Sequence, residues 1–258
     1  MSKLLANLVK KRACYLASSF KCQKSLQSTF RNEPELIEPN YKKLSYAHSV
    51  TNNLHLISDT VGERLNALNQ NRPNEIGYKF CLTQTNIKFN ELHQRVNEIS
   101  QNLLSMGFKK GDRLAIMLPN IPETVLSLLA AAQIGVISVI MNPAYQQVEI
   151  EYMLKKTQAK GLIFLDNLKV LHHYEILKRI SPDLESSSKG ELNLKNLPHL
   201  KHLIVVKNKL MKDTTEFKGT WSFEEDLQKF KLPNKNELPR VDFDDPFVIL
   251  FTVIIFLI

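Results

Sequence analysis

The sequence predicts an α/β fold, a mostly parallel sheet flanked by helices. Three observations carry that expectation. Residues 107–145 read as one strand–helix–strand unit, strand-like and helix-like apolar patterns then alternate as far as Ile180, and Leu92, Val96, Ile99, Leu103 and Met106 recur at the spacing of a helix with one buried side. With 258 residues, 43% hydrophobic and 23% charged, the chain has an ordinary globular composition with room for one large or two small domains.

Taken in order, residues 33–58 hold Pro34, Pro39 and polar spacers and read as a linker. A helix is expected to begin near Asp59. Thr60 and Glu63 stand in capping-box spacing, Val61, Leu65 and Leu68 form a face, and Arg72-Pro73 ends it. Tyr78 to Thr83 and Ile87 to Phe89 flank a polar turn, Gln84-Thr85-Asn86, as the arms of a hairpin do. Asn90 is the expected cap of the helix carrying the Leu92–Met106 stripe. Glu91, Gln94, Arg95 and Glu98 take its solvent side, and Gly107 ends it.

Arg113 to Leu118 is a short apolar run led by a turn and stopped by Pro119-Asn120, the pattern of a strand feeding a loop. Pro122 has its φ preset for a first helical turn, Glu123 suits the positive end of the helix dipole, and Val125, Leu128, Leu129 and Ala132 recur at helical spacing up to Gly135. Val136 to Met141 is apolar on both faces, as in a buried parallel strand, and Asn142-Pro143 ends it. A right-handed crossover follows by rule.

Beyond Tyr145, a helix is expected over Val148 to Thr157 with Ile150, Met153 and Leu154 inward, a buried strand over Gly161 to Leu165, and a helix over Val170 to Ile180. Asp183 to Asn196 reads as a surface loop and His202 to Val206 as a strand. Trp221 to Phe230 reads as a short helix or turn with Phe223 and Leu227 inward, and Leu232 to Arg240 as a linker into a last apolar run.

The net charge of +8 suggests nucleic acid until its distribution is read. Lys3, Lys10, Lys11, Arg12, Lys21, Lys24 and Arg31 all precede the first acidic residue, Glu33, and acids and bases nearly balance thereafter. The basicity therefore belongs to residues 1–32, which also hold Ser2, Ser18, Ser19, Ser25 and Ser28 and the apolar face Leu4, Leu5, Leu8 and Leu16. That is the composition of a mitochondrial transit peptide, with a basic disordered tail as the alternative; no long apolar segment marks a secretory signal. Cys14 and Cys22 fall in this leader, so Cys81 alone remains beyond it, and neither a disulfide framework nor a cysteine zinc site can be built. His172 and His173 are neighbours that point apart on a helix, and no His-x-x-x-His pair occurs, so no metal is expected. Complete Gly-x-Gly-x-x-Gly, Walker and Gly-x-Ser-x-Gly motifs are absent from the 258 residues.

A resemblance goes further than these patterns. Gly111-Asp112-Arg113 before the strand, Pro119-Asn120 after it, Asn142-Pro143-Ala144-Tyr145, Glu151-Tyr152-Met153-Leu154-Lys155-Lys156 and Ile180-Ser181-Pro182 stand in an order that resembles the amino-terminal subdomain of the adenylate-forming (AMP-binding) acyl-CoA synthetases. The likeness runs from about Leu44 to Thr252, and within the family it is most similar to the mitochondrial medium-chain fatty acid–CoA ligases. It implies a partial AMP-binding domain over residues 59–252, in the mitochondrial matrix, with fatty acid, ATP, Mg²⁺ and coenzyme A as the substrates and cofactors of the full-length enzyme. Such enzymes turn a poor acyl donor, the carboxylate, into an acyl-adenylate with AMP as leaving group, and then pass the acyl group to a thiol.

The resemblance also implies that Asp244 to Thr252 is the strand delivering a glycine- and hydroxyl-rich phosphate-binding loop, with Thr252 as its first residue. Residues 253–258, Val-Ile-Ile-Phe-Leu-Ile, depart from that pattern and carry no glycine, hydroxyl or lysine to hold a phosphate. A truncated, inactive amino-terminal portion that binds no cofactor by itself is the expectation, with no catalytic and no metal residue assigned. Another adenylating ligase, coumarate- or luciferase-like, and a non-catalytic interaction fragment are the alternatives. The apolar end is too short to span a bilayer as a helix and suits a buried strand.

Overall fold

The computed structural model describes residues 57–81, 84–166, 171–207, 217–228 and 237–251. The leader over 1–32, the linker as far as residue 56, Thr252 and the apolar residues 253–258 lie outside them.

Strands β1 (Ile76–Phe80) and β2 (Thr85–Lys88) form an antiparallel pair by themselves. The other strands are β3 (Arg113–Met117), β4 (Ile137–Ile140), β5 (Gly161–Leu165), β6 (His202–Val206), β7 (Thr220–Ser222) and β8 (Val248–Ile249). They form one sheet in the order β7-β6-β5-β3-β4-β8, and every neighbouring pair in it is parallel. The helices are α1 (Val61–Asn71), α2 (Phe89–Ser105), α3 (Pro122–Gln133), α4 (Gln147–Thr157) and α5 (His173–Ile180).

Because successive strand residues point to opposite faces, the sheet divides its apolar side chains into two cores. Leu114, Ile116, Ile163, Leu165, Ile204 and Val206 join the stripe of α2 and Leu126 and Ala130 of α3 on one face. Ala115, Met117, Leu162, Phe164, Leu203 and Val205 meet Ile150, Met153 and Leu154 of α4 and Ile176, Leu177 and Ile180 of α5 on the other. A strand buried on both sides is the reason β5 and β6 read as unbroken apolar runs.

The helix ends follow local chemistry. Thr60 and Glu63 form the expected capping box on α1. Gly107 and Gly135 have φ of 85° and 68° and close α2 and α3: Phe108 N–H bonds the Leu103 carbonyl at 3.0 Å, and Val136 N–H the Ala131 carbonyl at 2.9 Å.

Several expectations are corrected. The strands of the hairpin begin earlier, and its turn ends at Gln84, whose φ is 51°, so that Phe80 and Ile87 both reach the core. Asn90 does not cap α2; Lys88 stands at the cap, and Asn90 lies in the first turn accepting from Glu91 N–H. On α3 the deepest residues are Leu126, Ala130 and Ala131, while Val125, Leu128 and Leu129 are half-buried, because the helix is enclosed on more than one side. The segment 183–196 is no mere surface loop: Leu184, Leu192 and Leu194 are buried in the second core among polar neighbours that masked them. Strand β7 is too short to show alternation, and Phe223–Gln228 after it is a π-helical turn with Phe223 and Leu227 inward. The last strand is confined to Val248–Ile249.

Candidate functional site

In an open parallel sheet, ligands bind beyond the carboxyl ends of the strands, where adjacent strands send their chains to opposite faces. Here β3 is flanked by two such points, one with β4 and one with β5, and the loops after β3 and β4 form the first of them. α3, which follows β3, packs into the first core, and α4, which follows β4, packs into the second. The crevice rim is therefore Leu118-Pro119-Asn120-Ile121 on one side and Met141-Asn142-Pro143-Ala144-Tyr145 on the other.

Each side is tied by short hydrogen bonds. The Thr124 hydroxyl donates to the Pro119 carbonyl at 2.6 Å, and Ile121 N–H donates to the same oxygen at 2.8 Å. Pro122 opens α3 as expected, and Glu123 in its first turn is only 3% exposed. Across the crevice, the Asn142 side-chain oxygen accepts from Ala144 N–H at 2.9 Å and its carbonyl from Tyr145 N–H at 3.1 Å, which folds the Asn-Pro-Ala-Tyr stretch into a tight turn.

A histidine fastens that turn to the next strand. His173 is fully buried, with Nδ1 2.8 Å from the Leu165 carbonyl at the end of β5 and Nε2 2.9 Å from the Pro143 carbonyl. Asp166, which follows β5, is 6% exposed and accepts from Tyr174 N–H at 2.9 Å, capping α5 from outside the helix. Burial pushes the Tyr174 phenol up, and its hydroxyl donates to the Lys218 carbonyl at 3.0 Å. Sequence reasoning missed His173 and Asp166. The His172-His173 pair was visible, but only the fold shows that each ring nitrogen of His173 lies within hydrogen-bonding distance of a carbonyl, Leu165 on one side and Pro143 on the other, with the N–H of a single tautomer donating to one of them.

Strand β8 lies beside β4, with Ser138 opposite Val248, Val139 opposite Ile249, and Ser138 N–H donating to the Phe247 carbonyl at 3.1 Å. Being parallel to β4, it directs the chain toward the crevice end of the sheet. Phe251 is half-buried in the second core, its ring 6.5 Å from that of Tyr152. Thr252, the one site residue expected from the sequence, is next in the chain and lies outside the described residues.

The other sequence cues are not at the crevice. Arg113 caps the carboxyl end of α4, donating to the Thr157 carbonyl at 2.7 Å and the Gln158 carbonyl at 2.9 Å. Asp112 takes the Lys160 ammonium at 2.6 Å, and the same ammonium reaches the Gly107 carbonyl at 2.6 Å. Glu151 and Lys155 pair along α4 at 2.6 Å, and buried Ser181 stands between α5 and Pro182. These motifs hold the amino end and one face of the sheet together.

Among the described residues no three His, Cys, Asp or Glu side chains come together as a metal site, and the crevice has no glycine-rich loop. No helix among the described residues is long and apolar enough to cross a membrane.

The pattern of the AMP-binding enzyme family matches residues 66–253. The chain is similar to the mitochondrial medium-chain acyl-CoA ligase ACSF2 of Rattus norvegicus, 40% identical over 163 residues, or 63% of this chain and 26% of that protein. It is also similar to the ACSF2 of Danio rerio, 33% identical over 81% of this chain and 34% of that protein. The chain spans between a quarter and a third of the length of these relatives. Among solved structures, acetoacetyl-CoA synthetase from Streptomyces lividans superposes with a TM-score of 0.58 at 20% identity, over 76% of this chain and 28% of that one. That likeness is one of fold.

Proposed function

The chain belongs to the AMP-binding enzyme family, and from that premise we propose that it supplies the amino-terminal part of a mitochondrial acyl-CoA ligase acting on medium-chain fatty acids. The reaction is the activation of a carboxylic acid with ATP to an acyl-adenylate and diphosphate, followed by acyl transfer to the thiol of coenzyme A. The observation that supports this reading most is the placement of β8. It is the edge strand, parallel to β4, and so directs the chain to the carboxyl end of the sheet, one strand away from the β3/β4 point. That is the end where a phosphate-binding loop beginning at Thr252 would be presented.

Within that reading, the residues of this chain position rather than react. Thr124 and Pro122 shape one wall of the crevice, His173 and Asn142 hold the other, and β8 extends the sheet on the outer side of β4. Residues 253–258 offer no backbone glycine, hydroxyl or ammonium to a phosphate, so the 258 residues alone are expected to release no AMP above blank when given ATP, octanoate and coenzyme A. The positive test is a graft. Residues 59–251 exchanged for the matching segment of the rat ligase should retain octanoate-dependent AMP release; a soluble, folded chimera without activity would remove the proposal. For residues 1–32, import into isolated mitochondria with cleavage is the expected result, and an uncleaved cytosolic product would count against the matrix assignment.

A further inference from the structure

A second cavity lies away from the crevice, bounded by α1, α2, the last residue of α3 and the segment 238–241, with a volume of about 440 Å³. Its lining combines the apolar side chains of Leu238, Pro239 and Val241 with a row of polar groups. Asn66 of α1, His93 and Asn97 of α2 and Gln133 of α3 face it, with Glu63 and the exposed Arg240 at its rim.

The wall formed by α2 and α3 is an ordered hydrogen-bond chain. The Ser100 hydroxyl lies 2.9 Å from Gln133 Oε1, Gln133 Nε2 donates to Asn97 Oδ1 at 2.6 Å, and Asn97 Nδ2 lies 3.3 Å from a ring nitrogen of His93. Asn97 Nδ2 is also 3.4 Å from the other ring nitrogen, so the amide lies over the face of the His93 ring, whose pKa burial lowers. The chain uses the acceptor oxygens of both amides and one proton of each, so the second N–H of Gln133 and of Asn97 remain to be matched. Glu63 is already engaged, its carboxylate accepting from both the N–H and the hydroxyl of Thr60 at 2.8 Å. The Arg240 guanidinium has no ion-pair partner among the described residues.

We propose that this cavity binds a small monocarboxylate carrying an amide or similar carbonyl group, its carboxylate on Arg240 and its carbonyl on the amide wall of Asn97 and Gln133. A single unpaired cation matches one negative charge; a phosphate dianion would leave a charge uncompensated beside the Glu63 carboxylate.

The probe is N-acetylglycine, titrated into the full chain with the side-chain amide signals of Asn66, Asn97 and Gln133 followed by two-dimensional NMR. The expected result is saturable shifts of the Asn97 and Gln133 amides with a dissociation constant of about a few millimolar, as suits so small a ligand. Binding should weaken at least tenfold in Arg240→Gln, with an unchanged melting temperature, and at least tenfold for the neutral N-acetylglycinamide. Shifts that stay linear in concentration, equal affinity for the acid and the amide, or tighter binding of inorganic phosphate would each overturn the proposal. These outcomes are independent of the graft experiment, since the cavity is remote from the crevice.

Discussion

The Lys110 ammonium lies 2.5 Å from the Asp245 carboxylate and donates to the Arg240 carbonyl at 3.2 Å, so one side chain from the turn before β3 grips the strap that leads into β8 at two points. The strap rests on Gly135, where a Cβ would stand 2.8 Å from Lys110 Cγ and 3.3 Å from Val241 Cγ2. The grip lies at the amino end of the sheet, yet it helps determine the register with which β8 enters beside β4.

Lys110→Met is therefore expected to loosen the strap locally. The pair is partly exposed, so global stability should hardly change. Hydrogen exchange at Ser138, whose N–H bonds the Phe247 carbonyl, should accelerate more than at the amides of β5. Uniform exchange across both would mean that the grip does not hold β8.

His173 is the second point of control. Its replacement by Leu leaves the Leu165 and Pro143 carbonyls without their buried partner, for an expected loss of about 2–4 kcal/mol. Chemical denaturation measures the loss, and proteolysis should find the 142–145 turn more accessible. A variant as stable and as resistant as the parent would show that the imidazole is not what ties β4 to β5.

His202 makes stability depend on pH. Burial, followed by the nearby Lys160 charge, lowers its pKa from 6.5 to about 4; it stands between Phe108 and Trp221, and its Nδ1 has no partner. A depressed histidine is neutral in the fold and protonated more readily in the unfolded chain, so its contribution is present above pH 6.5 and lost as pH falls toward 4. The loss amounts to roughly 3 kcal/mol at most. His93, also lowered by burial, acts in the same direction. Melting temperatures between pH 7 and 4 should fall less steeply in His202→Phe than in the parent, and parallel curves would contradict the assignment.

Two glycines separate conformational strain from lack of space. At Gly107 φ is 85° and a Cβ would meet nothing within 4 Å, so Gly107→Ala should cost about 1–2 kcal/mol from backbone strain alone. At Gly161 a Cβ would stand 2.6 Å from Phe108 Cζ and 3.1 Å from Leu114 Cδ1, and overpacking there should cost about 1–3 kcal/mol and shift the Phe108 ring. Urea denaturation gives both costs, and the aromatic NMR signals of Phe108 should move in Gly161→Ala only.

Much of the fold was legible because its elements announce themselves locally. The α2 stripe, the ends at Gly107 and Gly135, the capping box at Thr60 and the strands at 113, 161 and 202 depend on residues close in sequence. Elements too short or too polar to show a period were lost: the three residues of β7, and the leucines at 184, 192 and 194, whose polar neighbours looked like a loop. The candidate site was legible only as a family resemblance, and its expected residue, Thr252, lies outside the described structure.

Local patterning by itself determined that alternating strands and helices would build a parallel sheet, since apolar period and chain breakers are properties of neighbouring residues. Only the tertiary structure decided that the crevice opens between β3 and β4, that His173 spans two carbonyls, and that Lys110 grips a strap far along the chain. These depend on strand order and on which helix covers which face, and such long-range pairings leave no periodic trace in the residues that make them.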